Sequence, residues 1–109
     1  MTMLDELLNE LIEKYGDDFS WGITNDNYFL DELNIELYVN HPLYHKADKA
    51  VARCYSNDDV LFILDDLSYA IIHLTYSKTN INGYPRYRCF PNATSVIEYI
   101  EKEYIAEFM

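Results

Sequence analysis

Leu4, Leu7, Leu8, Leu11, Ile12 and Tyr15 recur at three- and four-residue intervals, which predicts an amphipathic helix over residues 2–15. Thr2 is placed to cap it, and Asp5 puts a carboxylate in its first turn. After Gly16-Asp17-Asp18 and Trp21-Gly22, the stripe of Phe29, Leu30, Leu33 and Leu37 predicts a second helix from about residue 26 to 38. Ile35 and Val39 within it would also suit a strand. Asn40-His41-Pro42 ends this element, because a residue before proline avoids helical angles, and Pro42 then opens a short turn through Tyr44-His45.

From Lys49 onward the pattern shortens to β-rich runs at 49–55, 60–64, 69–76 and 84–90. Polar, turn-prone stretches at 56–59, 65–68 and 77–83 divide them, and none is long enough for the crossover of a parallel sheet. An antiparallel four-stranded meander is therefore expected. Beyond Pro91, Ser95 and Glu98 stand at capping-box spacing, and Val96, Ile97, Ile100 and Tyr104 form the apolar stripe of a last helix. The expected fold class is α+β, in the order α-α-β-β-β-β-α, with helices covering one face of the sheet.

Composition and charge narrow the function classes. A chain of 109 residues suffices for one core, so a single globular domain over 1–109 is expected. Eleven tyrosines and five phenylalanines in a chain that is half hydrophobic argue for a packed interior over disorder. The formal net charge of −11 sets a repulsive field against nucleic acid and anionic lipid and favours a basic protein partner. That charge is uneven: residues 1–36 hold ten acids and one lysine, whereas residues 67–90 hold three bases and no acid. Glu32 and Glu36 form an i, i+4 like-charge pair, which weakens an isolated helix by about 0.2–0.5 kcal/mol. The start Met1-Thr2-Met3-Leu4-Asp5-Glu6 lacks the basic and apolar pattern of an export signal. The longest apolar run, at 60–64, is too short to span a bilayer, so a cytoplasmic protein is expected. Cys54 and Cys89 are too few for a disulfide framework and are expected as buried thiols.

Several residues invite a chemical reading. His41 and His45 have the i, i+4 spacing of a helical zinc pair, but Pro42 lies between them and only Asp48 stands near as a third ligand. A structured turn fits better, so no metal or cofactor is expected. His73 falls inside a strand and suits a structural role better than that of a general base, because no serine or cysteine occurs in a nucleophile signature. Asp58-Asp59 and Asp65-Asp66 flank one strand roughly 20 Å long at ~3.3 Å per residue, beyond either glycosidase spacing. They read as hairpin caps. Gly16, Gly22 and Gly83 build no phosphate-cradling loop. Arg86 and Arg88, with Tyr76, Tyr84 and Tyr87 nearby, are expected to pair internally with carboxylates or tyrosine faces, since two arginines do not outweigh the overall charge.

His41-Pro42-Leu43-Tyr44, Asp58-Asp59-Val60-Leu61-Phe62 and His73-Leu74-Thr75-Tyr76-Ser77, followed by Pro85 and Phe90, occur in an order that resembles a group of small stand-alone bacterial proteins. The resemblance covers roughly residues 28–100. In size and acidity the chain also resembles the immunity proteins of toxin-delivery systems, a likeness that carries no catalytic residue across. The resulting expectation is a non-enzymatic immunity protein that neutralises a cognate nuclease toxin through an acidic surface. Asp31, Glu32 and Glu36 on the second helix, with Asp58 and Asp59 at a hairpin, are the expected contacts to partner cations. The alternatives are an acidic regulator that mimics nucleic acid, or a small hydrolase using His73.

Overall fold

The computed structural model describes residues 3–16, 19–76 and 85–108. The chain runs α1 (Met3–Tyr15), β1 (Trp21–Ile23), α2 (Asn27–Glu36), β2 (Ala47–Cys54), β3 (Asp59–Leu64), β4 (Tyr69–His73), β5 (Tyr87–Phe90) and α3 (Ala93–Phe108). The Thr2 cap, the Asp17-Asp18 break, the turn at 77–83 and the Tyr84 start of the last strand lie outside the described residues. The α+β class holds, and the sheet is an antiparallel meander in the order β1-β2-β3-β4-β5. Among the described residues it has five strands where four were expected. The additional one, β1, places Trp21, Gly22 and Ile23 opposite Cys54, Arg53 and Ala52, so the order becomes α-β-α-β-β-β-β-α. Three residues containing a glycine are too few to show alternation.

Helices cover both faces of the sheet, not one. On the first face Leu4, Leu8 and Leu11 of α1 and Val96, Ile97 and Ile100 of α3 pack on Leu61, Tyr69, Ile71 and Phe90. On the second, Phe29 and Leu33 of α2, with Leu37 and Leu43 after it, pack on Val60, Phe62, Ile72 and Leu74. This is why β3 and β4 are apolar at successive positions: a strand buried on both sides has no polar face to show. Tyr15 donates a hydrogen bond to Glu101 at 2.7 Å and Lys14 pairs with the same oxygen at 3.0 Å, tying the end of α1 to α3.

β2 carries two register shifts, between Ala47 and Lys49 and between Ala50 and Ala52. Extra residues there let Val51 and Ala52 both turn to the α1/α3 face. β4 pairs with β5, and His73 N–H donates to the Arg86 carbonyl at 3.0 Å, as the expected pairing of these two strands requires. Asp26 caps α2 by accepting from Tyr28 N–H at 2.9 Å. The expected Ser95–Glu98 capping box is displaced: α3 starts at Ala93, and Asn92 Oδ1 accepts from Ser95 N–H at 2.9 Å.

Candidate binding surface of carboxylates and tyrosines

α2 turns Phe29, Leu33 and Glu36 into the protein, which brings Tyr28 and Glu32 to the margin of that buried stripe. Next to them lies the segment that follows β4, where the Tyr28 and Tyr76 rings are stacked with centroids 6.4 Å apart. Tyr28 meets Phe29 edge-on at 5.5 Å, and the Arg53 guanidinium lies over both Phe29, at 5.3 Å, and Tyr55, at 5.0 Å. A continuous row, Tyr76–Tyr28–Phe29–Arg53–Tyr55, therefore joins α2, β2 and the end of β4. Its three tyrosines are 44%, 53% and 61% exposed for Tyr76, Tyr28 and Tyr55, too much for core residues. Gly22 permits part of this, since a Cβ there would run into the Tyr55 ring. Arg53 Nε is buried without a hydrogen-bond partner among the described residues, so that cation is committed to ring faces.

Carboxylates frame the row. Burial first, then Tyr28, pushes the Tyr76 hydroxyl up, with nearby Asp58 and Glu32 adding to the shift and Arg53 opposing it. Asp31 is exposed on α2 and Asp58 is exposed in the β2–β3 turn. Glu32 is half-buried and hydrogen-bonded to Glu36, one turn later. That hydrogen bond first, then burial and the Glu36 charge, pushes the Glu32 carboxyl up to about 7.

The five acids singled out by sequence do not form one set. Glu36 is fully buried, which overturns its place on an exposed face. Its carboxylate accepts from Thr75 N–H at 2.8 Å, Thr75 Oγ1–H at 2.7 Å and Tyr76 N–H at 3.0 Å, so it serves the fold. These bonds secure Tyr76 at φ 55°, in the left-handed region that costs a bulky residue energy. Asp59 belongs to the opposite face: Oδ1 lies 2.9 Å from His73 Nδ1, and its charge reaches Tyr99 of α3. Asp31, Glu32 and Asp58 remain as surface candidates.

The histidines separate similarly. His41 is buried, and its Nδ1 accepts from Leu43 N–H at 3.1 Å, so Nε2–H is left to donate to the Pro85 carbonyl at 3.1 Å. Both ring nitrogens are used, and His45 is exposed at φ 59°. His73 is exposed, not a core histidine, and its ring is paired with Asp59. Among the described residues no three of His, Cys, Asp and Glu are grouped to hold a metal. Cys54 is buried as expected, but Cys89 is exposed on edge strand β5, which corrects the expectation for that thiol. Arg88 stacks over Tyr99 at 5.0 Å, in line with an internal role. The Tyr84 part of the aromatic platform considered above lies outside the described residues. Asp66 accepts from Ser68 N–H at 3.0 Å and caps its hairpin, whereas Asn57 does so before Asp59, at 2.7 Å.

A separate cleft of about 520 Å³ lies between the start of α1 and the β1/β2 edge, lined by Leu4, Asp5, Ile23, Asp48, Val51 and Tyr69 among others. No described helix is long and apolar enough to cross a membrane. Sequence reasoning missed the aromatic half of the surface, because it read the eleven tyrosines as side chains of the packed interior. Comparison with known proteins finds no matching family model, no matching curated protein and no matching solved structure.

Proposed function

We propose that this chain is a cytoplasmic, non-enzymatic immunity protein that binds one basic toxin, a nuclease, and blocks its nucleic-acid site. The observation that carries the reading is the row of exposed tyrosines with Glu32 and Asp58 close to Tyr76, and with Asp31 exposed on the same helix three residues after Tyr28. A nuclease needs lysines and arginines to hold a polyphosphate. Carboxylates complement those cations and accelerate encounter, while tyrosines supply rigid, amphipathic area of the kind that dominates interface energies. The net charge of −11 extends the attraction over the whole molecule.

The test begins with affinity capture from the source cells, followed by titration of the captured protein's nuclease activity. One equivalent of this chain should abolish cleavage, and Tyr28→Ala/Tyr76→Ala should need a large excess. Full inhibition by that variant, or capture of several unrelated nucleic-acid-binding proteins in place of one toxin, would sink the proposal. The second outcome would favour the nucleic-acid mimic.

A further inference from the structure

We infer that β2 takes an added strand: an extended basic segment of a partner protein pairs with the part of β2 that β1 leaves uncovered and sets two side chains into the cleft beside it. This site lies at the other end of the sheet from the tyrosine row and stands independently of the immunity reading. Asp58 precedes β3 and Tyr76 follows β4, whereas the cleft takes Ile63 near the end of β3 and Tyr69 at the start of β4.

β1 covers only half of its neighbour. Its three residues pair with Cys54, Arg53 and Ala52, and the ladder ends where Thr24 N–H donates to the Val51 carbonyl at 3.1 Å. The chain then turns into α2, so among the described residues no strand lies beside residues 47–50 on that side. A sheet edge of this kind offers backbone donors and acceptors to another chain. Both register shifts of β2 fall here, between Ala47 and Lys49 and between Ala50 and Ala52. They bend the strand, and together with the exposed Lys49 they keep a long flat strand from pairing along it. A second copy of this chain is disfavoured further, since each copy carries a charge of −11. A short segment fits, about four residues and roughly 13 Å at ~3.3 Å per residue.

The cleft determines what that segment carries. An extended chain points alternate residues to one side, so two of its side chains enter the space of about 520 Å³. Leu4, Val51, Ile63 and Tyr69 belong to the core of the α1/α3 face and give the cleft an apolar floor. Asp5 and Asp48 set two carboxylates against the single ammonium of Lys49. The Asp5 charge reaches the Tyr69 hydroxyl, which burial first and then this charge push up, so the acid stands close to that floor. One entering side chain is therefore apolar, and the other, two residues along, is a lysine or arginine.

The test is amide NMR of the intact chain titrated with a set of capped pentapeptides that carry leucine, valine or phenylalanine two residues from an arginine. At least one should bind saturably, with a Kd of about 1 mM or tighter. Shifts should concentrate at Ile23, Thr24, Tyr69 and residues 47–51, with slower amide exchange within 47–50, while Tyr28 and Tyr76 stay unmoved. Methylating the peptide's backbone nitrogens should abolish binding, and moving the arginine next to the apolar residue, onto the opposite side of the strand, should weaken it. Asp48 is exposed, so Asp48→Lys should keep the fold and weaken binding roughly three- to tenfold. The inference is overturned if no peptide of the set saturates, if the methylated peptides bind equally, or if Asp48→Lys changes nothing. Equal shifts at Glu10 and Glu13 of α1, meaning diffuse attraction, or a response centred on Tyr28 and Tyr76, would overturn it as well. A toxin inhibited by a chain whose cleft ignores every peptide removes this inference alone; a peptide seated in the cleft with no toxin inhibited removes the immunity reading alone.

Discussion

Glu36 stands four residues after Glu32, a spacing that suits a solvated acidic face as well as a carboxylate turned inward; donors 39 and 40 residues along the chain decide between them. No local pattern announces partners that distant, which is why its burial was illegible in the sequence. Leu74 was legible, since alternation with Ala70 and Ile72 put it on an apolar face, and it is fully buried. Leu74→Ala should cost about 2–5 kcal/mol, read as a shifted denaturant midpoint with an unchanged slope. A second expectation concerns pH. Glu32 is raised from 4.5 to about 7, so its contribution to stability is fully present below 4.5 and is lost as the pH rises through 7. Glu101, held below its usual range by hydrogen bonds from Tyr15 and Lys14, acts oppositely and loses its contribution toward acid. Melting curves from pH 5 to 8 should therefore show wild type losing stability with rising pH relative to Glu32→Gln; parallel curves would contradict the raised Glu32 carboxyl.

Among the elements, α1, α2 and β3 fall within a residue or two of their predicted bounds, the helices because their apolar periodicity is uninterrupted and β3 because polar turn residues bound a continuous apolar run. β1 escaped, being recognisable only through its pairing with β2. Helices on both faces escaped for a related reason: successive apolar residues in β3 and β4 show that both sides are buried without saying which helix lies on which. At α3 the structure places the cap on Asn92, three residues before the Ser95 read from the sequence. Asn92→Ala should destabilise the protein by about 0.5–2 kcal/mol, as loss of an N-cap does. Glu98→Ala should cost less than half as much, because no capping box forms; equal losses in chemical denaturation would restore the box.

For the whole molecule, the acid excess was plain in the sequence and the surface proposed to use it was not. Two of the five acids left the set once their places were known, Glu36 to the interior and Asp59 to the α3 face, while three exposed tyrosines joined it. Reversing the wrong carboxylate would mislead, since Glu36→Lys buries an unpaired cation and tests folding alone. Asp31 and Asp58 are exposed, so reversing both should leave stability within about 1 kcal/mol. The most direct test of the account is the association rate between this chain and the proposed toxin partner once captured, measured by stopped flow from about 20 mM to about 500 mM salt, where the Debye length shrinks severalfold. Wild type should associate fast and slow steeply with salt, and Asp31→Lys/Asp58→Lys should start slower and show a flatter dependence. An unchanged rate and an unchanged slope in the double reversal would contradict it.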